Sequence, residues 1–406
     1  MFRLTNLARV ALLGTVVLGA CSSTDRSLAP TATAPIFSSY VAIGNSITAG
    51  YQSGGINDST QRQSYARILA NSMGTQYHYA SLAGRGCNPP LSNVLTGTYF
   101  GPGSTSVTCD ARSLGSVTDI LNNVAVPGAR VLDPISSSTV ASNALTTFIL
   151  GGKTQVQKAL EAKPTFATIW IGNNDVLQAG LSGFLTPVPG VSPGIVSSQV
   201  QFQQSYDAML KQLLDSMPNL KGVLIAVLQV SGDPLVSSGD TLFKSAATKA
   251  FLNAATGKTV TVDPNCSGST SLVNILNLVA VIKAGTHPPL ISCVAGVYPA
   301  PIGDIFIFDA AEQVTLKAAI DGYNSYIAAK AAAIGFAYFD PNTILAAQRA
   351  TNAIPRLPNF VAPNAGTVLF GSVISLDGVH PAAGGHVLIA QGLIATINAK
   401  YGTTLQ

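Results

Sequence analysis

Residues 40–50 are Tyr-Val-Ala-Ile-Gly-Asn-Ser-Ile-Thr-Ala-Gly, a short apolar run followed by a polar turn. The run Tyr40–Gly44 is uncharged and has the length of a strand buried within a sheet. Ser46 follows it closely, and glycines at positions 44 and 50 permit a tight turn. Because serine is favoured at the start of a helix, the stretch predicts a strand, a turn and a helix. A serine in that position is exposed, and its own backbone N–H can bind an anion.

Segments of alternating type continue along the chain. The amphipathic pattern is strongest in 198–217, where Phe202, Tyr206, Met209 and Leu213 recur at helical spacing. The predicted helices are 63–73, 154–162, 198–217, 310–333 and 383–400, and the further predicted strands are 121–126, 165–171, 222–230 and 336–339. Such alternation predicts a central parallel sheet with helices on both faces, a three-layer α/β/α fold in which ligands bind beyond the carboxyl ends of the strands.

Two segments interrupt the alternation, about 81–117 and about 231–303. Each is rich in glycine, proline and serine and holds two cysteines. We interpret both as loop-rich insertions in a single domain that spans 38–406.

The first 21 residues have the features of an export signal. Arg3 and Arg9 give a positively charged start. The uncharged, mostly apolar run from Val10 to Ala20 follows them and is too short to cross a bilayer comfortably. The run ends in Leu-Gly-Ala-Cys at 18–21, which resembles a bacterial lipobox. That resemblance implies cleavage before Cys21 and lipidation of its sulfur and amino group; an ordinary secretory signal with a chance cysteine is the alternative.

The segment 22–37 follows the predicted cleavage point and is rich in serine, threonine, alanine and proline. This composition is typical of a flexible tether. The mature protein is therefore expected to be a domain held at the bacterial cell envelope by acyl chains. In Gram-negative lipoproteins a non-acidic residue after the cysteine, here Ser22, usually implies the outer membrane.

Charge excludes one class of partner. Only 10% of the residues are charged, and the formal net charge of the whole chain is +4. Without Arg3 and Arg9, 20 basic and 18 acidic side chains remain, a net charge of +2. The sequence contains no Lys/Arg cluster, so nucleic acid is not an expected partner.

The cysteines beyond Cys21 are even in number, namely Cys87, Cys109, Cys266 and Cys293. In an oxidising compartment this count indicates two disulfides, with three possible pairings. We favour Cys87–Cys109 and Cys266–Cys293, because each closes a local loop. A zinc site is the alternative, but spacings of 22 and 27 are not those of closely paired ligands, and no metal is expected.

Residues 377–381, far downstream of Ser46, are Asp-Gly-Val-His-Pro. Serine is a poor nucleophile at neutral pH and needs an adjacent base held in the correct tautomer. We predict that His380 is this base and that Asp377 orients it from the other ring nitrogen. Taken alone, His380 could equally cap or pack a helix, and Ser46 could be an ordinary helix cap.

Two further short motifs lie between the serine and the histidine. They are Val-Pro-Gly-Ala at 126–129 and Ile-Gly-Asn-Asn-Asp at 171–175, the latter directly after a predicted strand. The backbone N–H of Gly128 and the side-chain amide of Asn174, with the N–H of Ser46, are predicted to stabilise a developing oxyanion. Gly128 and Asn174 are also ordinary turn residues, which is the alternative for each.

In this order the four motifs resemble the blocks of the SGNH, or GDSL-type, hydrolase family, from about Tyr40 to the C-terminus. The family blocks map onto Ser46, Gly128, Asn174 and His380, with Asp377 three residues earlier. The departure is Asn45, where the family usually has Asp; that acid is not the nucleophile, so activity is expected to survive.

The resemblance implies a flavodoxin-like SGNH fold and a serine esterase or lipase without metal or organic cofactor. It leaves open lipid, short-chain and carbohydrate O-acyl ester substrates, and the apolar composition and lipid tether favour the first two. Two other functions remain open. One is a surface lipoprotein that binds a glycan or partner with a disabled site, and the other is an O-acyltransferase or carbohydrate O-deacetylase that uses the same residues. The sequence does not predict an oligomeric state.

Gly-Val-Ser-Pro-Gly at 190–194 matches the G-x-S-x-G elbow of a different hydrolase fold. That elbow requires a preceding strand, which Pro187 and Pro189 oppose. Ser192 is therefore not predicted to be a nucleophile.

Overall fold

The computed structural model describes residues 31–94, 96–101, 112–113, 119–136, 145–294, 297, 306–355 and 365–406. Its strands are β1 Tyr40–Gly44, β2 Leu91–Asn93, β3 Thr98–Tyr99, β4 Phe166–Trp170, β5 Lys221–Ile225, β6 Val236–Ser238, β7 Thr261–Val262, β8 Leu272–Asn274, β9 Leu290–Ile291, β10 Ile307–Phe308 and β11 Ala337–Phe339. Its helices are α1 Ser46–Ala49, α2 Asp58–Arg62, α3 Tyr65–Met73, α4 Leu145–Leu150, α5 Gln155–Glu161, α6 Leu177–Ser182, α7 Gln199–Ser216, α8 Gly239–Lys244, α9 Ala246–Thr256, α10 Ile275–Ala284, α11 Ala310–Ile334, α12 Asn342–Ala350, α13 Ala365–Val368 and α14 Ala383–Tyr401. Among these helices none is both long and apolar enough to cross a membrane.

The central sheet has the strand order β1-β4-β5-β11, and each neighbouring pair is parallel. Tyr40 lies opposite Phe166, and Phe166 lies opposite Lys221, so the three strands begin at the same level. The carboxyl ends of β1 and β4 therefore lie side by side, and Ser46 and Asn174 follow them.

Helices cover both faces of this sheet. Alternate residues of β1 point to opposite sides, with Val41 and Ile43 in one apolar cluster and Tyr40 and Ala42 in the other. Helices α5, α7 and α11 pack on the first side, and α3 and α14 pack on the second. The predicted three-layer α/β/α fold with a central parallel sheet is confirmed.

The predicted strand at 121–126 is only an extended segment beside β1. Ala42 N–H donates to Asn122 O at 2.8 Å, and Val124 N–H donates to Ala42 O at 3.0 Å, but a single parallel bridge forms with β1. The side chains of Asn122 and Asn123 bond to backbone carbonyls nearby, and beyond the bridge to β1 Asn123 forms another isolated parallel bridge, with Tyr79.

The second predicted insertion is not loop-rich, because its described part folds as a small subdomain. Helices α8, α9 and α10 enclose an apolar cluster of their own, and the predicted Cys266–Cys293 disulfide is present within it. The helices are short, and each begins at a polar cap. The capping residues are Ser238, Ser245 and Asn274. These caps make the sequence resemble a series of turns.

The described end of the predicted tether belongs to the domain. Phe37 is fully buried, and Thr33 N–H donates to Met73 O at 2.9 Å. Cys21, the rest of the tether and Cys109 lie outside the described residues. Cys87 is described and buried. Its predicted pairing with Cys109 therefore stays a prediction.

Candidate active site

Ser46 is the first residue of α1, directly beyond the end of β1. The Asn45 side-chain oxygen caps this helix by accepting from Ile47 N–H at 3.1 Å. A Cβ atom at position 44 would lie 2.4 Å from the Thr48 hydroxyl oxygen, so only glycine allows the turn to close this tightly. The strand, turn and helix predicted from the sequence thus place Ser46 at the carboxyl edge of the sheet.

Three side chains form a continuous chain of hydrogen bonds at this edge. His380 Nε2 lies 2.8 Å from Ser46 Oγ, and His380 Nδ1 lies 2.9 Å from Asp377 Oδ2. The Asp377 and His380 side chains are about 15% and 14% exposed, so both are largely shielded from water while remaining close to the pocket. The three residues singled out in the sequence are therefore brought together at hydrogen-bonding distances.

The turn 377–380 is held by its own backbone. Asp377 Oδ1 accepts from the N–H groups of Val379 and His380, at 2.9 and 2.8 Å. Gly378 has φ +76°, and a Cβ there would lie 2.9 Å from the Phe370 ring, so glycine is required on both counts. The Gly-Val spacer thus directs the carboxylate and the imidazole toward each other.

Asp377 is kept ionised in this buried position. Burial by itself raises the pKa of a carboxyl group, but here the charge of His380 and its hydrogen bonds outweigh burial. The bonds from the backbone N–H groups of His380 and Val379 add to them, and together they lower the pKa of Asp377 to about 2. A carboxylate with this pKa holds the Nδ1 proton on His380, which leaves Nε2 free to accept a proton from Ser46.

Several residues that support Asp377 lie in no recognisable sequence motif. Gly54 N–H donates to Asp377 Oδ2 at 2.7 Å, and the Ser375 hydroxyl donates to Oδ1 at 3.1 Å. Ser375 also accepts from Ser53 N–H at 2.8 Å, and the Tyr51 ring lies 4.8 Å from the His380 ring, centre to centre. The turn after α1 therefore supports the acid and the base, a contact across more than 320 residues of sequence.

The two predicted oxyanion motifs are joined to each other. Asn174 follows β4 in a short turn, and its side-chain amide donates to Ala129 O at 2.9 Å, one residue beyond Gly128. Asn174 lines the same pocket as Ser46 and His380. Gly128, with φ +82°, is not among the pocket-lining residues and lies in the loop that Asn174 contacts.

Asp175 fixes this turn rather than facing the pocket. It is fully buried, and it accepts from the Ser197 hydroxyl and, at 2.9 Å, from Val131 N–H. Burial raises the pKa of Asp175 to about 6, against the lowering effect of those two bonds. The segment after Gly128 is thereby tied to the end of β4.

The pocket beside Ser46 is predominantly apolar. Its lining includes Trp170, whose indole N–H is already bonded to Ala226 O at 2.9 Å. The apolar lining consists of Ile47, Trp170, Leu177, Leu228, Val230, Pro234, Pro341, Ile344, Leu345, Ile354, Val373, Ile374, Val379, Pro381 and Ile389. The polar lining beyond Ser46 and His380 is limited to asparagines at 45, 173 and 174, Gln229 and Asp233. The pocket therefore offers mainly apolar contact surface beside the Ser46 hydroxyl.

Ser192, the serine of the second hydrolase-like motif, lies in an irregular loop and is buried. Its hydroxyl accepts from Gly194 N–H at 3.1 Å. His386 is a buried residue of α14 whose Nδ1 accepts from Tyr65 N–H, and burial lowers its pKa to about 3. Neither residue belongs to the constellation around Ser46.

Several solved structures are similar to this chain at low sequence identity. An extracellular lipase from Streptomyces rimosus is 17% identical, with 89% of this chain and 98% of that chain covered and a TM-score of 0.34. A phospholipase A1 from Streptomyces albidoflavus is 14% identical, with 89% and 98% covered and a TM-score of 0.33. A mutant acetyl-xylooligosaccharide esterase from Geobacillus Stearmophilus is 11% identical, with 88% and 93% covered and a TM-score of 0.35. No curated protein sequence matches the chain significantly.

The sequence pattern of one family, described as GDSL-like Lipase/Acylhydrolase, matches residues 40–393. The match begins with β1, includes all four motifs around Ser46, Gly128, Asn174 and His380, and ends within α14. It covers most of the chain, and the resemblance predicted from the motifs is confirmed. The chain belongs to the GDSL-like lipase/acylhydrolase family.

Proposed function

We propose that this protein is a serine esterase that hydrolyses carboxylic esters with an apolar acyl chain. The observation that carries the proposal is the hydrogen-bonded series Asp377–His380–Ser46, which ends at an apolar pocket. A serine bonded to a histidine can give up its proton as it attacks, and the apolar wall favours burial of an aliphatic chain over retention of a polar one.

The proposed reaction uses the residues predicted from the sequence. Ser46 Oγ attacks the ester carbonyl and gives its proton to His380 Nε2, while the ionised Asp377 stabilises the imidazolium that forms. The N–H groups of Ser46 and Gly128 and the Asn174 amide stabilise the negative oxygen. The intermediate then expels the alcohol, which takes the proton from His380. Water attacks the acyl-serine with His380 as base, the acid leaves, and Ser46 regains its proton.

Asn45 does not disable this site. Its side-chain oxygen caps α1, a role that the more usual Asp would also fill. Reaction with a fluorophosphonate probe discriminates between an esterase and a lipoprotein that only binds its ligand, because labelling requires an activated serine.

The test is hydrolysis of p-nitrophenyl esters from acetate to palmitate by the full-length chain in detergent. Ser46→Ala is expected to lower kcat by about 10⁴-fold or more. Ser192→Ala is the matched control, because that serine lies in the other motif and is expected to leave kcat unchanged. An acyl-length optimum at acetate would contradict the apolar acyl site, and absence of both turnover and probe labelling in folded protein would contradict the esterase.

We also propose that the enzyme is tethered to the bacterial outer membrane through acyl groups on Cys21, as the lipobox-like residues 18–21 suggest. Two acyl attachments hold a protein at a membrane where one gives only reversible binding. In a Gram-negative host, Cys21→Ser is expected to abolish incorporation of radiolabelled palmitate and to move the protein out of the outer-membrane fraction. Retention of label in the variant would contradict the assignment.

A further inference from the structure

One carboxyl group, that of Asp233, lies in the wall of this predominantly apolar pocket. Asp233 is 9% exposed and lines the pocket that Ser46 and His380 share. Its Oδ1 accepts from Leu235 N–H at 2.9 Å. Across the described residues no hydrogen-bond donor meets Oδ2, and the triad does not use this residue. A carboxyl oxygen that faces a pocket and has no protein donor is available to a ligand.

The position of Asp233 indicates which half of an ester it faces. Leu235, two residues later, packs against the turn that carries the base, since a Cβ at Gly378 would lie 3.1 Å from the Leu235 Cδ1 atom. Val379 and His380 of that turn line the same pocket as Asp233. His380 must reach the leaving oxygen to protonate it, so groups on the histidine side of the pocket face the alcohol half of the substrate.

Burial is the main cause that raises the pKa of Asp233, to about 7. The bond from Leu235 N–H opposes burial, the nearby charge of Asp377 adds to it, and Arg349 and His380 lower the pKa. Near neutral pH the group is therefore present in both forms. The carboxylate accepts a hydrogen bond from a hydroxyl group, and the neutral acid can accept or donate one.

We propose that Asp233 is a specificity-determining residue that binds a free hydroxyl on the alcohol half of the substrate, so that the enzyme favours partial esters of polyhydroxy alcohols over esters of simple alcohols. The inference rests on the proposed esterase function. A substrate hydroxyl that binds beside this wall loses its hydrogen bond to water, and a hydrogen bond to the Asp233 carboxyl oxygen replaces it. A simple alcohol leaves the oxygen buried and unpaired, which disfavours its binding.

The experiment compares 1-monooctanoylglycerol with propyl octanoate, two esters with the same acid and the same three-carbon alcohol skeleton. Acid release by the full-length chain in detergent is followed in a pH-stat at pH 7. We expect the wild type to favour the glycerol ester at least tenfold in kcat/KM. Asp233→Leu is expected to bring the ratio near one by lowering the value for the glycerol ester. Asp233→Asn retains an oxygen for Leu235 and an amide for the hydroxyl, and is expected to keep most of the preference.

Asp215→Leu, the same change on the surface of α7, is the control and is expected to keep the wild-type ratio. p-Nitrophenyl octanoate separates the two proposals, because its alcohol half carries no hydroxyl for Asp233 and its hydrolysis reports only the esterase. Where p-nitrophenyl octanoate is hydrolysed, either of two results would overturn the inference. One is a wild-type kcat/KM ratio of glycerol ester to propyl ester at or below one. The other is an equal ratio in the wild type and in Asp233→Leu. If Asp233→Leu does not hydrolyse p-nitrophenyl octanoate, Asp233→Asn replaces it in the comparison. A ratio near the wild-type value in Asp233→Asn supports the inference, and a ratio near one overturns it.

Discussion

Two aspartates lie beside His380, and their surroundings shift their pKa values in opposite directions. Asp377 and Asp233 are both largely buried, yet the pKa of Asp377 is lowered to about 2, whereas that of Asp233 is raised to about 7. Each group experiences the charge of His380, and for each burial is the largest single cause. The charge of His380 is the largest lowering cause for Asp377 but the smallest for Asp233, whose pKa the charge of Asp377 raises further.

The two carboxyls also differ in the hydrogen bonds that they accept. Asp377 accepts five from the described residues, from the N–H groups of Gly54, Val379 and His380, the Ser375 hydroxyl and His380 Nδ1. Asp233 accepts one, from Leu235 N–H. Asp175, with two such bonds and a pKa of about 6, lies between them. The charge of His380 and the donors around Asp377 together keep this carboxyl charged, and only Asp377 is held ready to orient a catalytic base.

Among the changes that separate the two aspartates, the largest expected effect comes from Asp377→Asn. An Asn side chain can donate from its amide to His380 Nδ1, which favours the tautomer with the proton on Nε2 and prevents that atom from accepting the Ser46 proton. We expect kcat for p-nitrophenyl octanoate to fall by roughly 10³–10⁴-fold with little change in KM, as expected for loss of the correct tautomer. Steady-state kinetics measure the effect, and Asp321→Asn on the exposed surface is the control. A fall of less than tenfold would mean that Asp377 does not set the tautomer.

The second prediction concerns stability. A carboxyl whose pKa is raised on folding lowers the free energy of unfolding as the pH rises from about 4 to about 7. Above pH 7 this decrease is complete. For Asp233 the shift corresponds to about 4 kcal/mol as an upper limit, because the open oxygen retains some contact with water. Asp233→Asn removes the titration, so it is expected to be more stable than the wild type at pH 8 and similar to it at pH 4. Urea unfolding at the two pH values measures the difference, and a variant whose advantage is the same at both values would contradict the assigned pKa.

The sequence predicts Asp377 well and Asp233 not at all. Asp377 lies three residues before His380, and a turn of that length leaves few arrangements in which the carboxyl and the imidazole do not meet. The same holds for Ser46, whose strand, turn and cap are local features. The parallel sheet follows from the alternation of helices and strands, and for these parts local pattern and global fold agree.

The parts that the sequence did not predict depend on contacts between distant segments. Ser53 and Gly54 meet Ser375 and Asp377 only after the sheet has formed, and no motif marks them. The same applies to Asp233, which enters the pocket because Leu235 packs on the 377–380 turn. The sequence of the 231–303 insertion resembles a series of loops because its helices are short and start at serine and asparagine caps. Periodicity is weak over so few turns, and their stability comes from a shared apolar cluster.

The smallest expected effect comes from Ser375→Ala, which removes one of the five donors to Asp377. The pKa of Asp377 is near 4 in the unfolded chain and about 2 in the folded protein, so Asp377 stabilises the fold fully at pH values above 4. This contribution is lost as the pH falls through about 2. With one hydrogen bond fewer, the pKa of Asp377 in the folded protein rises, so we expect the midpoint of acid unfolding to shift to higher pH. The free energy of unfolding at pH 7 is expected to fall by about 1.5 kcal/mol, and kcat by at most tenfold. Ser53→Ala is the matched control, because its hydroxyl accepts from Leu376 N–H and does not contact Asp377. Equal shifts of the acid midpoint in the two variants would show that the turn, and not the number of donors, sets the pKa of Asp377.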